Sequence, residues 1–161
     1  MATVRGGQYG GRAPARTVAQ LGALVFGLGF LLVGIAGFIP GITTNYDELT
    51  WAGTDSEAEL FGLFQVSVLH NAVHLAFGLL GLWAARAADL ARGFLIASGV
   101  VYLALFVYGM VIDRQSDANF VPLNAADDWL HLGLGLGMLA VGIAASGMYA
   151  RRTTRRPAGG Y

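Results

Sequence analysis

Apolar residues in this chain collect into four runs long enough to cross a bilayer as helix, with the polar residues gathered between them. A hydrocarbon core of about 30 Å needs roughly 20 residues of helix. The first run, 18–39, holds Gln20 as its one strongly polar residue and closes on Pro40 and Gly41. The second lies at about 68–90. The third, 93–112, is bounded by Arg92 and Asp113, and the fourth, about 125–150, stops at Arg151 and Arg152. All the connections are short. The pattern predicts an all-α, four-helix transmembrane bundle, up-down-up-down, built from two tandem helical hairpins. Residues 1–16 and 151–161 read as basic cytoplasmic tails, the first of them disordered. The first run exceeds a typical signal-peptide core and no small-x-small cleavage site follows it, so a retained helix is expected.

Composition narrows the classes that remain. Apolar residues make up 55% of the 161, glycine contributes 24, and charged residues fall to 12%, about half the share of a soluble chain. Disordered, collagenous and nucleic-acid-binding proteins are excluded. With no cysteine, so are disulfides, thiolate metal sites, iron–sulfur clusters and a cysteine nucleophile. Ten arginines and no lysine suggest a GC-rich bacterial genome. The zero net charge hides a polarity. Arg5, Arg12, Arg16, Arg86, Arg92, Arg151, Arg152, Arg155 and Arg156 share one side with Asp89, whereas Asp47, Glu48, Asp55, Glu57, Glu59, Asp113, Asp117, Asp127 and Asp128 share the other with Arg114. Basic flanks stay in the cytoplasm. Both termini are therefore expected there, in a multi-pass protein of a bacterial inner membrane with two acidic loops outside. Trp129 and Trp83 fit the outer and inner aromatic belts, with Tyr149 beside Trp83.

Lipid supplies no hydrophobic drive between helices, so small residues must let backbones approach. Ala23, Gly27, Gly34 and Gly37 mark the first span, and Gly133-x-x-x-Gly137 reads as a seam within the chain that could equally join a homo-oligomer.

Set against itself at an offset of 57 residues, the chain places Ser67, Asn71, His74, Leu75, Gly78 and Leu79 over Asn124, Asp128, His131, Leu132, Gly135 and Leu136. Spans two and four look like copies, which predicts a parallel repeat about an axis along the membrane normal. Ser67 and Asn124 are good N-caps, and they set His74 and His131 at equal depth, about 10 Å below the helix ends. If they cap, residues 58–66 form a short amphipathic segment at the outer surface. Asn71 with His74, and Asp128 with His131, stand three apart on one helix face, where each amide or acid could orient its imidazole. Gly78 and Gly135, one turn deeper, either admit a neighbouring helix or make room for a planar ligand.

These residues resemble the bacterial membrane family catalogued as domain of unknown function 4383, a four-span module, over about residues 17–150. The likeness rests on 34–40 (Gly-Ile-Ala-Gly-Phe-Ile-Pro), on 69–75 (Leu-His-Asn-Ala-Val-His-Leu) with Gly78, and on Asn124, Asp128, Leu130 and His131. Ser67 departs from the pattern, where Asn-Pro often opens the second span. The resemblance implies topology and no reaction.

Histidine is the cheapest ionisable residue to leave neutral in a membrane, so the favoured reading makes Asn71, His74, Tyr108, Asp128 and His131 a structural polar cluster, the imidazoles acting as interhelical staples to Tyr102, Tyr108 or backbone carbonyls. Three alternatives stand beside it. A b-type haem could be held between His74 and His131. A divalent metal such as zinc could use His70, His74, Asp128 and His131. Small-molecule, quinone or ion binding or transport by an oligomer is also compatible. There is no Walker loop, no His-Glu-x-x-His signature and no serine triad, so no enzyme activity is assigned.

Overall fold

A computed structural model describes residues 16–154, and the expected tail features outside that range lie beyond the described residues. Helix α1 (Val18–Ala36) starts on a capping box in which Thr17 accepts from the Gln20 backbone and Gln20 accepts from the Thr17 backbone, so two otherwise unpaired amides are satisfied. The first connection, 37–67, is long, against the expectation of short connections throughout, because it folds into a small sheet; after it come α2 (Val68–Ala84), α3 (Ala88–Val111) and α4 (Ala125–Thr154). The bundle is all-α and up-down-up-down. Three of the helices are long and apolar enough to cross a membrane, and α2, at 17 residues, is a shorter apolar helix. Val18, Leu21, Val25, Leu28, Leu32 and Ile35 form an exposed stripe along α1, a surface fit for lipid and not for water. The architecture is that of a membrane protein.

Two helices end earlier than their apolar runs. α1 stops at Ala36, since Gly37 caps the helix and Phe38 and Ile39 continue as turns. α2 stops at Ala84, and a three-residue turn through Arg86 leads directly into α3. The Gln20 amide ties this turn to α1 by donating to Ala85 O at 3.1 Å and Arg86 O at 3.3 Å.

The loop from 37 to 67 carries the expected segment 58–66, with Ala58, Leu60 and Val66 buried and Phe61 and Leu63 exposed. It folds into β1 (Thr43–Thr44), a short 3-10 turn at Tyr46–Glu48, β2 (Glu59–Leu60) and β3 (Phe64–Gln65), an antiparallel sheet in the order β1-β2-β3. Leu60 pairs with both Thr43 and Phe64. Ala58, Leu60 and Val66 make a small core under this sheet and rest on Val33 and Ala36 of α1. Apolar residues scattered among acids give no helical period, and the strands they form are only two residues long.

α1 packs chiefly on α2, and α3 on α4. The two hairpins meet mainly through α1 and α3, while α2 and α4 hardly touch. Glycines make both close contacts. A Cβ added to Gly27 would stand 3.1 Å from Gly78 O, and one added to Gly99 would stand 3.0 Å from Gly135 O. Gly133 has nothing within 4 Å of such a Cβ and Gly137 meets only Phe26 at 3.5 Å. The expected Gly133-x-x-x-Gly137 pair is therefore not the line of close approach within the bundle; the tight contacts run through Gly135 and Gly142, on the opposite side of α4.

Candidate functional site

Helix geometry places the histidines as the repeat anticipates. Ser67 Oγ accepts from His70 N at 3.1 Å, and Asn124 Oδ1 accepts from Ala126 N and Asp127 N at 2.9 and 3.0 Å. Asp127 reciprocates, its Oδ2 accepting from Asn124 N at 3.0 Å and, across the loops, from Gln65 N at 3.2 Å. Asn124 Nδ2 donates to Leu63 O at 2.8 Å. One amide thus caps α4 and joins it to the sheet. Asn124→Ala is expected to cost about 1–2 kcal/mol, measurable as a lowered midpoint in detergent unfolding.

Seven residues into each helix, His74 and His131 turn inward, both buried. His74 Nδ1 lies 3.1 Å from His70 O. A carbonyl only accepts, so this nitrogen carries the proton and Nε2 the lone pair. His74 packs on Phe30 with ring centroids 5.9 Å apart, and His131 packs edge-on against Tyr102 at 5.1 Å. Phe30 and Tyr102 in turn stack on each other, centroids 5.3 Å apart and planes 21° from parallel. Phe77 closes the layer edge-on to both.

This layer exposes more of the repeat than the second helices alone. Phe30, Leu31 and Gly27 of α1 and its cap Gly37 correspond to Tyr102, Leu103, Gly99 and Gly109 of α3 at an offset of 72. Leu31 covers Gly78 as Leu103 covers Gly135, and Asn71 presses on Gly37 as Asp128 presses on Gly109. The offset grows from 57 to 72 because the first hairpin carries the longer loop.

The expected polar cluster is thereby divided. His74 and His131 share the central layer. Asn71 lies between α1 and α2, and Asp128 between α3 and α4, so neither acts as the hydrogen-bond partner of the histidine three residues on. Asp128 instead pairs with Arg114, Nη2 to Oδ2 at 2.6 Å. Tyr108 is not in the cluster. Its hydroxyl donates to Ala118 O at 2.7 Å and tethers the second loop; Tyr102, one and a half turns away, is the tyrosine that meets a histidine. Asn119, buried and absent from the sequence reading, organises that loop: its amide donates to Arg114 O at 3.2 Å and Leu123 O at 3.3 Å, and its oxygen accepts from Leu123 N at 3.0 Å. Arg114 is thereby held over Asp128. A lone base in an acidic loop was the available signal for that pair.

Neither cofactor geometry assembles. His70 and His74 stack with centroids 4.8 Å apart and planes 20° from parallel, so their in-plane lone pairs run side by side instead of converging. Asp128 is turned away to Arg114. Among the described residues no three His, Asp or Glu side chains are placed to hold one metal ion. For haem, each imidazole already packs on a ring of the Phe30–Tyr102 stack, and the room offered by Gly78 and Gly135 is filled by Leu31 and Leu103. Both glycines serve helix approach.

A helical membrane bundle of two related hairpins, closed at one end by a small sheet over a histidine–aromatic layer, is the class this structure defines. Residues 20–144 match the model of the family described as Domain of unknown function (DUF4383), and the chain belongs to that family. No curated protein and no solved structure matches the chain.

Proposed function

We propose that the protein is a multi-pass protein of the bacterial cell membrane, with its termini in the cytoplasm and its sheet-capped end outside, and that its histidine layer works as structure, joining the two hairpins. The arrangement of charge supports the orientation: Arg86 and Arg92 flank the α2–α3 turn, and the acidic residues of both loops gather at the capped end. The observation that carries the structural role is the unbroken ring series His74, Phe30, Tyr102, His131. Each imidazole is engaged by an aromatic ring of its own hairpin, and those rings meet across the hairpin boundary. Aromatic ring contacts of this kind are worth about 0.5–1.5 kcal/mol each beyond the area they bury.

Purified in mild detergent, the protein is then colourless and free of stoichiometric metal, and His74→Gln expresses normally as a folded bundle. A Soret band or equimolar zinc that disappears in a folded His74→Gln variant overturns the reading.

A second reading has its own observation. Among the described residues, His131 Nδ1 is buried without a hydrogen-bond partner, a condition that costs about 1–3 kcal/mol. A small hydrogen-bonding ligand of the membrane, such as a quinone, would recover that energy. Added menaquinone analogue then raises the unfolding temperature of delipidated protein, and His131→Leu abolishes the rise. An unchanged temperature refutes it.

A further inference from the structure

We propose that the sheet-bearing loop assembly is seated in the bilayer instead of standing clear of it, with Trp51, Phe61 and Leu63 entering the boundary between headgroups and acyl chains and zwitterionic phospholipid as their partner. The proposal rests on the membrane reading above but is independent of which side faces the cytoplasm.

Depth is the first argument. α2 has 17 residues, which at 1.5 Å per residue is about 25 Å, short of a hydrocarbon core of about 30 Å. Its far end is fixed by the turn at Arg86, a residue that stays at the water boundary. The near end is not free to rise. Val68 N donates to Thr50 O at 3.0 Å and Leu69 N to Trp51 O at 2.9 Å, so the loop backbone itself receives the unpaired amides of the first turn. Trp51 is thus tied to the level of that turn, about 25 Å from the arginine plane, and its side chain is 69% exposed. On a helix this short, an outward Trp at that level meets lipid.

The second argument is continuity. Leu63, 52% exposed, accepts through its carbonyl from the Asn124 side chain at the start of α4. One turn below is Trp129, exposed and packed against Phe106 at 5.9 Å. Exposed apolar side chains therefore stand on both sides of this junction, Leu63 in the loop and Trp129 on the helix.

The third is backbone strain. Phe61 forms the tip between β2 and β3 with φ at +57°, followed by Gly62 at +65°. An aromatic residue in the left-handed region is unfavourable, and such tips ordinarily take Asn, Asp or Gly. Here a Phe occupies the position and is 64% exposed. Strain of this kind persists where the side chain has a use, and an interfacial aromatic has one. The surrounding acids, Asp47, Glu48, Asp55 and Glu57 with no base among them, favour a zwitterionic over an anionic surface.

The test is tryptophan depth in the full-length protein in phosphatidylcholine vesicles. Trp83→Phe with Trp129→Phe leaves Trp51 as the sole emitter; Trp51→Phe with Trp83→Phe leaves Trp129. With lipid brominated near the headgroup end of its acyl chains, Trp51 is expected to lose about half its emission and to emit at shorter wavelength than Trp in water. Trp129 quenched while Trp51 remains unquenched and open to aqueous acrylamide overturns the collar and leaves the membrane reading intact. Trp51 shielded from both quenchers overturns it in favour of a covering protein or second copy. Both residues unquenched by brominated lipid would end the membrane reading and the collar together.

Discussion

Arg114→Gln is expected to destabilise the folded bundle by about 3 kcal/mol, while Asp128→Asn leaves it nearly unchanged and the double variant regains most of the loss. Asp128 is 1% exposed and its pairing oxygen sits 2.6 Å from the guanidinium. Removing the base strands a buried carboxylate between α3 and α4, where no second donor among the described residues meets it. Removing the acid instead leaves Arg114, 42% exposed, free to turn into solvent. That exposure places the expected loss at the low end of the range for broken buried pairs. An amide already fills the matching place in the first hairpin, Asn71 against Gly37, so Asn at 128 fits without new bulk. Reversible unfolding of the four proteins in detergent supplies the cycle. Equal losses for the two single variants, or a double variant no better than Arg114→Gln, would contradict the assignment.

Gly27→Ala and Gly99→Ala should each cost about 1–3 kcal/mol, whereas Gly133→Ala should be neutral or raise stability by up to about 1 kcal/mol. At Gly27 the added methyl meets Leu82 N at 3.0 Å and Gly78 O at 3.1 Å, and at Gly99 it meets Gly135 O at 3.0 Å. These are backbone atoms of the partner helix, so relief requires the helices to part along their whole contact. At Gly133 the methyl enters open space and only the helix propensity changes. The same unfolding assay decides. Loss of stability in Gly133→Ala accompanied by loss of a dimer would instead mark that face as a contact between copies.

Helix starts were legible where a cap is local: Ser67 and Asn124 each carry a side-chain oxygen that the first turn requires, and the structure uses both, whereas α3 begins at Ala88, ahead of the expected 93, behind Ala87, which has no side chain able to cap it. Helix ends were less so. Hydropathy continues through Phe38, Ile39 and Leu90, while the chain has already turned at Gly37 and Ala85. The inward rotation of α3 could not be read from composition, since Tyr102 and Tyr108 differ only in which side of an apolar helix they occupy. For the same reason Gly133 and Gly137 looked like a seam while Gly135, between them, forms it. Equal depth for His74 and His131 followed from their caps. That Phe30 and Tyr102 would fill the space between them needed the correspondence of α1 with α3, which a long inserted loop displaces from the register of α2 with α4. The small sheet was illegible, because strands of two residues are too short to show alternation.

The pairing of Asn71 with Gly37 and of Asp128 with Gly109 has a genetic consequence. Two identical hairpins meeting about an axis must place the same residue at both sites, so an acid there would appear twice, each copy demanding its own base. Joining both hairpins in one polypeptide lifts that obligation. In this chain one half holds a neutral amide and a connection folded into a sheet, and the other holds a single ion pair beside Asn119. Each half can therefore be altered without altering the other.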